Sequence, residues 1–414
     1  MKTQMIEGLC GRESDLKMLP SFVTSLATGD EVGLALSIVM GGTKVLVEKI
    51  RFNGGVHFTI EKKVVRPISE SLRRGSSDDL FGFVADCVKE VNPEHGIKAG
   101  FVFSYPCTLT SLKRGTLVEW TKDISVEECK GKDPCVLLQE QLDRRNLNVK
   151  IVALCNDSVS TLVSHSYSHT RTAVGVILGS GTNAAYVEQI ANIPKLHSEI
   201  ASRFMIINME WGALGGRNPS ILPLSSLDID IDRNSINPGK QPLEKMMSGL
   251  FLGELVRCWI VQLHSRGDLL APIDACNRLF TERLCFDSSL CTTILLDDSE
   301  DLTEVSSILE SFGIRKSSQK DREQIREIVD CVITRSARLM GACLFTVLQH
   351  MQENGMGGSI GVDGSVYKYV PGYKARMIKA MRELGMENVE CGIAEDGTSV
   401  GAALIGYYSS TLWM

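Results

Sequence analysis

Apolar and polar positions fall in blocks along this chain, and the order of the blocks repeats. Residues 31–52, EVGLALSIVMGGTKVLVEKIRF, carry two β-branched apolar runs around a Gly-Gly turn, which predicts two strands joined by a hairpin. HFTIEKKVV (57–65) predicts a third strand and so an antiparallel meander. Helical spacing follows in DDLFGFVADCVKEV (78–91), then a buried strand in IKAGFVFSYP (97–106). A helix in DPCVLLQEQLDRRN (133–146) and a strand in VKIVALCND (149–157) complete the first block. Strands alternating with helices indicate an α/β class.

The pattern then restarts. TAVGVILGSGTNAAYVE (172–188) is again strand, Gly-rich turn, strand, and FMIINMEWGALGG (204–216) adds another strand. Long helical segments are predicted over 241–265, 320–354 and 372–384, with late strand–turn units in GGSIGVDGSVY (357–367) and NVECGIAEDGTSVGAALIGYY (388–408). SLDIDIDRNSINPGKQ (226–241) reads as a polar loop, and residues 1–30 as mixed and helical in part. Two strand–Gly-turn–strand units suggest two related halves facing a cleft. Glycine in such a turn lets backbone N–H groups approach a phosphate.

Polar residues end several apolar strands. VALCND places Asn156 and Asp157 after a strand, where open α/β sheets hold ligands. Asp157 reads as a general base for a hydroxyl nucleophile or as the cap of the helix that follows, and pattern alone favours the cap. Ser104, Thr121, Lys122, Asn183, Glu210 and Glu244 are further hydroxyl, amide, ammonium and carboxylate groups. Each has an ordinary reading as a cap, a turn or a solvated face; Glu254 reads as a helix ion-pair partner. Together they suit a ligand rich in hydroxyls, as a sugar is.

Composition narrows the class only slightly. The 414 residues are 43% hydrophobic and 23% charged with a net charge of −6, an ordinary globular balance that argues weakly against nucleic acid as a partner. Thirteen cysteines show no CxxC pair or zinc-ligand spacing, so a reducing, cytoplasmic setting is expected. The N-terminus lacks an apolar signal core. No membrane-spanning stretch is expected, and the oligomeric state is not legible.

FSYPC, LVEWTK, VALCNDSVSTL, ILGSGTNAAYVE, INMEWGALG, SINPGKQPLEKMMSGLFLGELVR and GVDGSVYK occur in this order. In that order they resemble the eukaryotic-type hexokinases and glucokinases, as a divergent, single-length member. The resemblance runs from about residue 31 to 406. It implies an actin-like (RNase H-like) ATPase fold, with two unequal α/β domains closing around a cleft that holds a hexose and MgATP. The expected small domain is residues 31–155 with about 400–414, and the large domain 156–399 with about 1–30.

The resemblance assigns Ser104, Thr121, Lys122, Asn156, Asp157, Asn183, Glu210 and Glu244 to the sugar. Asp157 is implied as the catalytic base toward the hexose 6-hydroxyl, with Lys122 stabilising negative charge. The turns Gly41–Gly42–Thr43 and Gly179–Ser180–Gly181 resemble the two phosphate loops. Gly249, Ser289, Thr293, Thr398 and Ser399 are implied near ATP. Mg2+ is expected to be held mainly by ATP itself.

The chain also departs from the family. The family writes the first phosphate loop Asp-x-Gly-Gly-Thr-Asn, whereas Val39 stands at the acid position and Lys44 at the Asn position here. Lys44 reads either as a phosphate contact or as a solvated strand lysine. Asp123 stands where the family usually has Gly, Ser180 replaces Thr, and Ser399 and Val400 replace a Gly and a basic residue. These changes gather on the ATP side. Two functions follow: an ATP-dependent hexokinase, or a catalytically weakened hexose-binding sensor. GGTK also resembles bacterial-type sugar kinases, but their zinc-ligand cluster is not visible in the sequence.

Overall fold

The computed structural model describes residues 1–120, 124–197, 200–270, 272–274 and 276–409. The first block of the sequence folds into β2 (Val32–Met40), β3 (Lys44–Asn53), β4 (Phe58–Pro67), β5 (Ile97–Phe103) and β8 (Val149–Cys155). These form one sheet in the order β4-β3-β2-β5-β8. A small hairpin of β6 (Cys107–Ser111) and β7 (Arg114–Leu117), not foreseen from the sequence, lies between β5 and β8 in the chain. The second block supplies β9 (Thr172–Leu178), β10 (Thr182–Gln189), β11 (Phe204–Asn208), β12 (Ser359–Asp363) and β13 (Cys391–Ile393). With the short β1 (Leu19–Pro20) they form a sheet in the order β1-β11-β10-β9-β12-β13.

The two sheets share one plan. In each, the first strand of the block (β2 or β9) lies inside the sheet, an antiparallel meander runs to one side, and two parallel strands follow on the other. The restart seen in the apolar pattern is therefore a repeated topology. Two helices, Asp157–Ser168 and Gly397–Tyr408, pack against each other between the sheets. Glycines set their separation and the seat of the second helix on β5. A Cβ on Gly401 would stand 1.8 Å from the Ser160 carbonyl oxygen, and one on Gly100 would stand 1.9 Å from that of Ala402. No side chain fits at either place.

Each sheet has its own core, and a third apolar cluster joins them. Val39 packs on that third cluster, whose members include Val102, Val159 and Val400. The helix Gln319–Glu353 contains a window apolar and long enough to cross a membrane, contrary to the expectation that no stretch would be. It buries Val329, Ile333, Leu344 and Val347 in the larger core.

Two other expectations change. SLDIDIDR, read as loop, is a helix (Ser226–Arg233), because Ser225 and Asp228 form a reciprocal capping box. Segment 241–265 is two helices, Pro242–Met247 and Gly249–Ser265, broken at an extended Ser248. The break occurs because the Gly249 and Leu250 N–H groups donate to the Gly179 and Ser180 carbonyls, at 2.7 and 3.2 Å. That contact seats the second helix on the 179–181 turn.

Candidate active site

Strand ends meet on the floor of the cleft. β8 ends at Cys155, and Asn156 caps the helix that begins with Asp157. The cap is Asn156, whose Oδ1 accepts from the Ser158 N–H at 2.9 Å, so Asp157 is left in the first turn as a half-buried carboxylate. Its Oδ1 also accepts from the Ser158 N–H, at 2.9 Å. Asn156 thus performs the capping that the sequence pattern attributed to Asp157.

From Asn156 a chain of amides runs across the floor. Asn183, on β10, donates through Nδ2 to Asn156 Oδ1 at 3.2 Å and to Asn208 Oδ1 at 2.8 Å. Asn208, the last residue of β11, donates through Nδ2 to Glu210 Oε1 at 2.9 Å. Glu210 has a left-handed backbone, φ 54°, uncommon for a residue with a side chain. Sequence reasoning passed over Asn208, although it stands two residues before Glu210 in the same motif.

Glu244 joins this floor to the second glycine turn. Its Oε2 accepts from the Thr182 N–H at 2.9 Å, and a Cβ on Gly181 would lie 2.7 Å from that oxygen. Gly181 must therefore be glycine for Glu244 to reach the turn. Thr182 in turn accepts from the buried Trp211 indole at 3.1 Å, which holds the turn from below.

The wall of the cleft is apolar and uncharged. Phe103, Tyr105, Cys107, Leu154 and Cys155 line it beside Asn156 and Asn208. Burial pushes the Cys107 and Cys155 thiols up to about 12, so neither ionises. Ser104 lies at the same strand end, half-buried, its N–H donating to the Met40 carbonyl at 3.4 Å. Thr121 and Lys122 lie outside the described residues, as does Asp123.

The other half of the cleft is built from backbone. Gly179, Gly249 and Gly364 approach one another closely. A Cβ on Gly249 would stand 2.8 Å from the Gly179 oxygen, and one on Gly364 would stand 2.7 Å from the Gly179 nitrogen. Ser180 is exposed at the tip of this turn. The Gly179 and Gly249 N–H groups are used within this contact, donating to the Gly181 and Gly179 carbonyls at 3.0 and 2.7 Å, so these glycines serve close backbone packing around the turn.

The first turn is tight: the Gly41 N–H donates to the Lys44 carbonyl at 3.1 Å. It is anchored by the Tyr105 hydroxyl, which donates to the Gly41 carbonyl at 2.8 Å, and by the Ile68 N–H on Thr43. Gly42 lies within this turn, and Thr43 and Lys44 are exposed. Among the described residues Lys44 holds no ion pair.

The more distant residues expected near ATP divide. Thr398 is half-buried beside Asp363, with Oγ1 3.5 Å from Oδ2. Ser399 is buried, and its hydroxyl donates back to the Asp396 carbonyl at 3.2 Å. Its hydroxyl is therefore turned into its own helix, away from an open surface. Ser289 is exposed on the helix Ser288–Leu296, with Thr293 one turn further. That helix adjoins Gly249 through neighbouring Ser288, which also accepts from the Gly253 N–H at 2.9 Å. Glu254 stands apart from the cleft. It is fully buried and holds Arg257 through two bonds of 2.8 Å.

Comparison with known proteins gives the family. Two hexokinase family models match the chain, one over residues 1–167 and the other over 173–408. Human hexokinase-3 is 36% identical over 98% of this chain, which spans 44% of that protein's length. Hexokinase-1 of Schizosaccharomyces pombe is 33% identical over 97% of this chain and 85% of its own. The solved hexokinase of Schistosoma mansoni, complexed with glucose, superposes with a TM-score of 0.87 at 33% identity, covering 99% of this chain and 93% of that one. The repeated sheets, the glycine turns and these matches agree, and the chain belongs to the hexokinase family.

Proposed function

We propose that this protein transfers the γ-phosphoryl group of MgATP to the 6-hydroxyl of glucose or a related hexose. The observation that carries the proposal is the position of Asp157. It lies beside the polar chain Asn156–Asn183–Asn208–Glu210, on the floor of a cleft whose other half is a glycine cradle. The amides and carboxylates of that floor match a ligand that both donates and accepts at every hydroxyl.

In the reaction, the 6-oxygen bonds to the γ-phosphorus as the bond to the β,γ-bridging oxygen breaks, and ADP leaves. Asp157 accepts the hydroxyl proton. Such a step is mostly positioning and charge stabilisation. Ser104 meets the sugar from the end of β5, and by the family motif Thr121 and Lys122 join it, with Lys122 as the cation that stabilises developing charge. Movement of the two sheet-bearing lobes toward each other, as the small and large domains, keeps water from acting as acceptor.

Among the described residues no three His, Cys, Asp or Glu side chains gather as a metal site, and Val39 is apolar where the family has an acid. Magnesium would come with ATP and, when bound, would supply neutralisation of phosphate charge. All thirteen cysteines are free thiols, which supports a reducing, cytoplasmic setting.

The test is formation of glucose 6-phosphate by the purified protein with MgATP and glucose. Replacement Asp157→Ala is expected to lower turnover by about 10²–10⁴-fold while the fold survives. Glucose binding without any product would instead make the protein a hexose sensor.

A further inference from the structure

Asn208 has no assigned role, yet it connects two residues placed at the sugar. It ends β11 with only 6% of its surface exposed, and it lines the cleft wall beside Asn156. Its Oδ1 accepts from Asn183 Nδ2 at 2.8 Å, and its Nδ2 donates to Glu210 Oε1 at 2.9 Å.

These bonds have a fixed sense. A side-chain amide has one accepting end and one donating end. The Asn183 amide is oriented independently, because its own Oδ1 accepts from the Ala184 N–H at 2.8 Å. Its Nδ2 must therefore face Asn208, whose Oδ1 must answer it, which leaves the Asn208 donor pointing at Glu210. One residue thereby sets the direction of both neighbours.

Glu210 needs such a hold. Its left-handed backbone, φ 54°, is a costly conformation for a residue with a side chain. Surrounding contacts must enforce it. Besides the Nδ2 bond, the Glu210 N–H reaches back to Asn208 Oδ1 at 3.4 Å. The loop from 208 to 210 is thus closed on itself at its side-chain and backbone ends.

We propose that Asn208 is a positioning residue for hexose recognition. It holds the Asn183 amide and the Glu210 carboxylate in the directions in which they meet sugar hydroxyls. The proposal rests on the hexose reading of the cleft and deepens it. Asn208 acts through its neighbours, so its loss falls on sugar affinity and leaves the glycine cradle untouched.

The experiment uses the full chain with Asn208→Ala and Asn208→Asp. Glucose binding is followed by tryptophan fluorescence, since Trp120 and Trp211 flank the site, and KM is measured separately for glucose and MgATP. Asn208→Ala is expected to weaken glucose binding by about 10–100-fold, the range for supporting residues that orient ligating groups. The MgATP KM should stay within about twofold of the parent. Asn208→Asp keeps an acceptor for Asn183 but turns a second carboxylate oxygen toward Glu210, so it should bind glucose more weakly than Asn208→Ala. It is nearly isosteric and carries the test if the alanine variant fails to fold.

Glucose affinity unchanged in both variants, or a MgATP KM rising in step with that of glucose, overturns the role. A parent protein that binds no hexose overturns the hexose reading and this inference with it. A parent that binds while both variants bind equally well overturns this inference alone.

Discussion

The two halves of the cleft are made in different ways. The proposed sugar side is side chains: Asn156, Asn183, Asn208 and Glu210 are tied end to end beside Asp157, and Glu244 is pinned to a turn N–H. The proposed ATP side is backbone: Gly249 and Gly364 press on the Gly179 turn at distances that admit no Cβ on either. This explains where the chain departs from its family. In a linked polar network, removing one partner leaves another buried group unsatisfied, at a cost of about 1–3 kcal/mol. Where backbone makes the surface, a changed side chain leaves that surface in place. Val39 illustrates the second case, because its side chain packs on the cluster between the sheets and the turn beyond it stays closed through Gly41 and Lys44.

Three changes test that contrast, beginning with the largest. Glu254 lies beneath the ATP side, buried, accepting from Arg257 and from the Leu284 N–H at 2.7 Å. Glu254→Ala leaves the buried Arg257 guanidinium without its counter-charge and should destabilise the protein by about 3–5 kcal/mol. Urea unfolding measures that loss, and glucose affinity of the folded protein should be unchanged. A specific loss of glucose affinity would mean that Glu254 belongs to the sugar side.

The second change is pH, felt beneath the sugar side. His165 is buried on the helix that Asp157 begins. Its Nδ1 lies 2.6 Å from Thr172 Oγ1, whose hydroxyl donates to the His169 carbonyl at 2.7 Å. Nδ1 therefore carries the proton, and Nε2 is left bare and buried, with no partner among the described residues. Burial, with His169 stacked alongside, pushes the imidazole down to about 4. Below about pH 6.5 the unfolded chain takes up a proton that the folded chain refuses. Stability should then fall with pH by up to about 1.4 kcal/mol per unit between about 6.5 and 4. Comparing urea midpoints across that range with those of His165→Leu isolates this contribution, because the variant lacks the imidazole. Equal slopes in the two proteins would refute it.

The smallest change restores the family acid. Val39→Asp should raise kcat/KM for MgATP by about tenfold, the lower end of the range for a supporting carboxylate, with glucose affinity unaltered. An unchanged or lower rate would mean that the turn works by another means, with Lys44 as the first residue to replace.

Local pattern carried much of the fold. Alternating apolar runs around Gly-Gly and Gly-Ser-Gly located the central hairpins of both sheets, because a two-residue period and a glycine turn are local properties. The β6–β7 hairpin escaped notice, for its short strands carry few apolar positions. SLDIDIDR looked like loop because its caps and charges are polar, although a capping box is itself a helix signal.

The site was legible where residue identity and chain order suffice, and illegible where direction matters. Motif order named Asn183 and Glu210, but only the folded sheet brings Asn183 to Asn208, 25 residues apart in the chain. Glu244 and Glu254 looked alike on one predicted helical stretch. The break at Ser248 sends the first to the glycine turn and the second into the core beside Arg257. Ser399 matched an ATP-side motif, yet its hydroxyl is folded into its own helix. By itself the sequence determined the repeated strand–turn units, the glycine turns and the family. Tertiary structure decided which polar side chains face the cleft, because that depends on strand pairing and helix breaks set by groups far away in the chain.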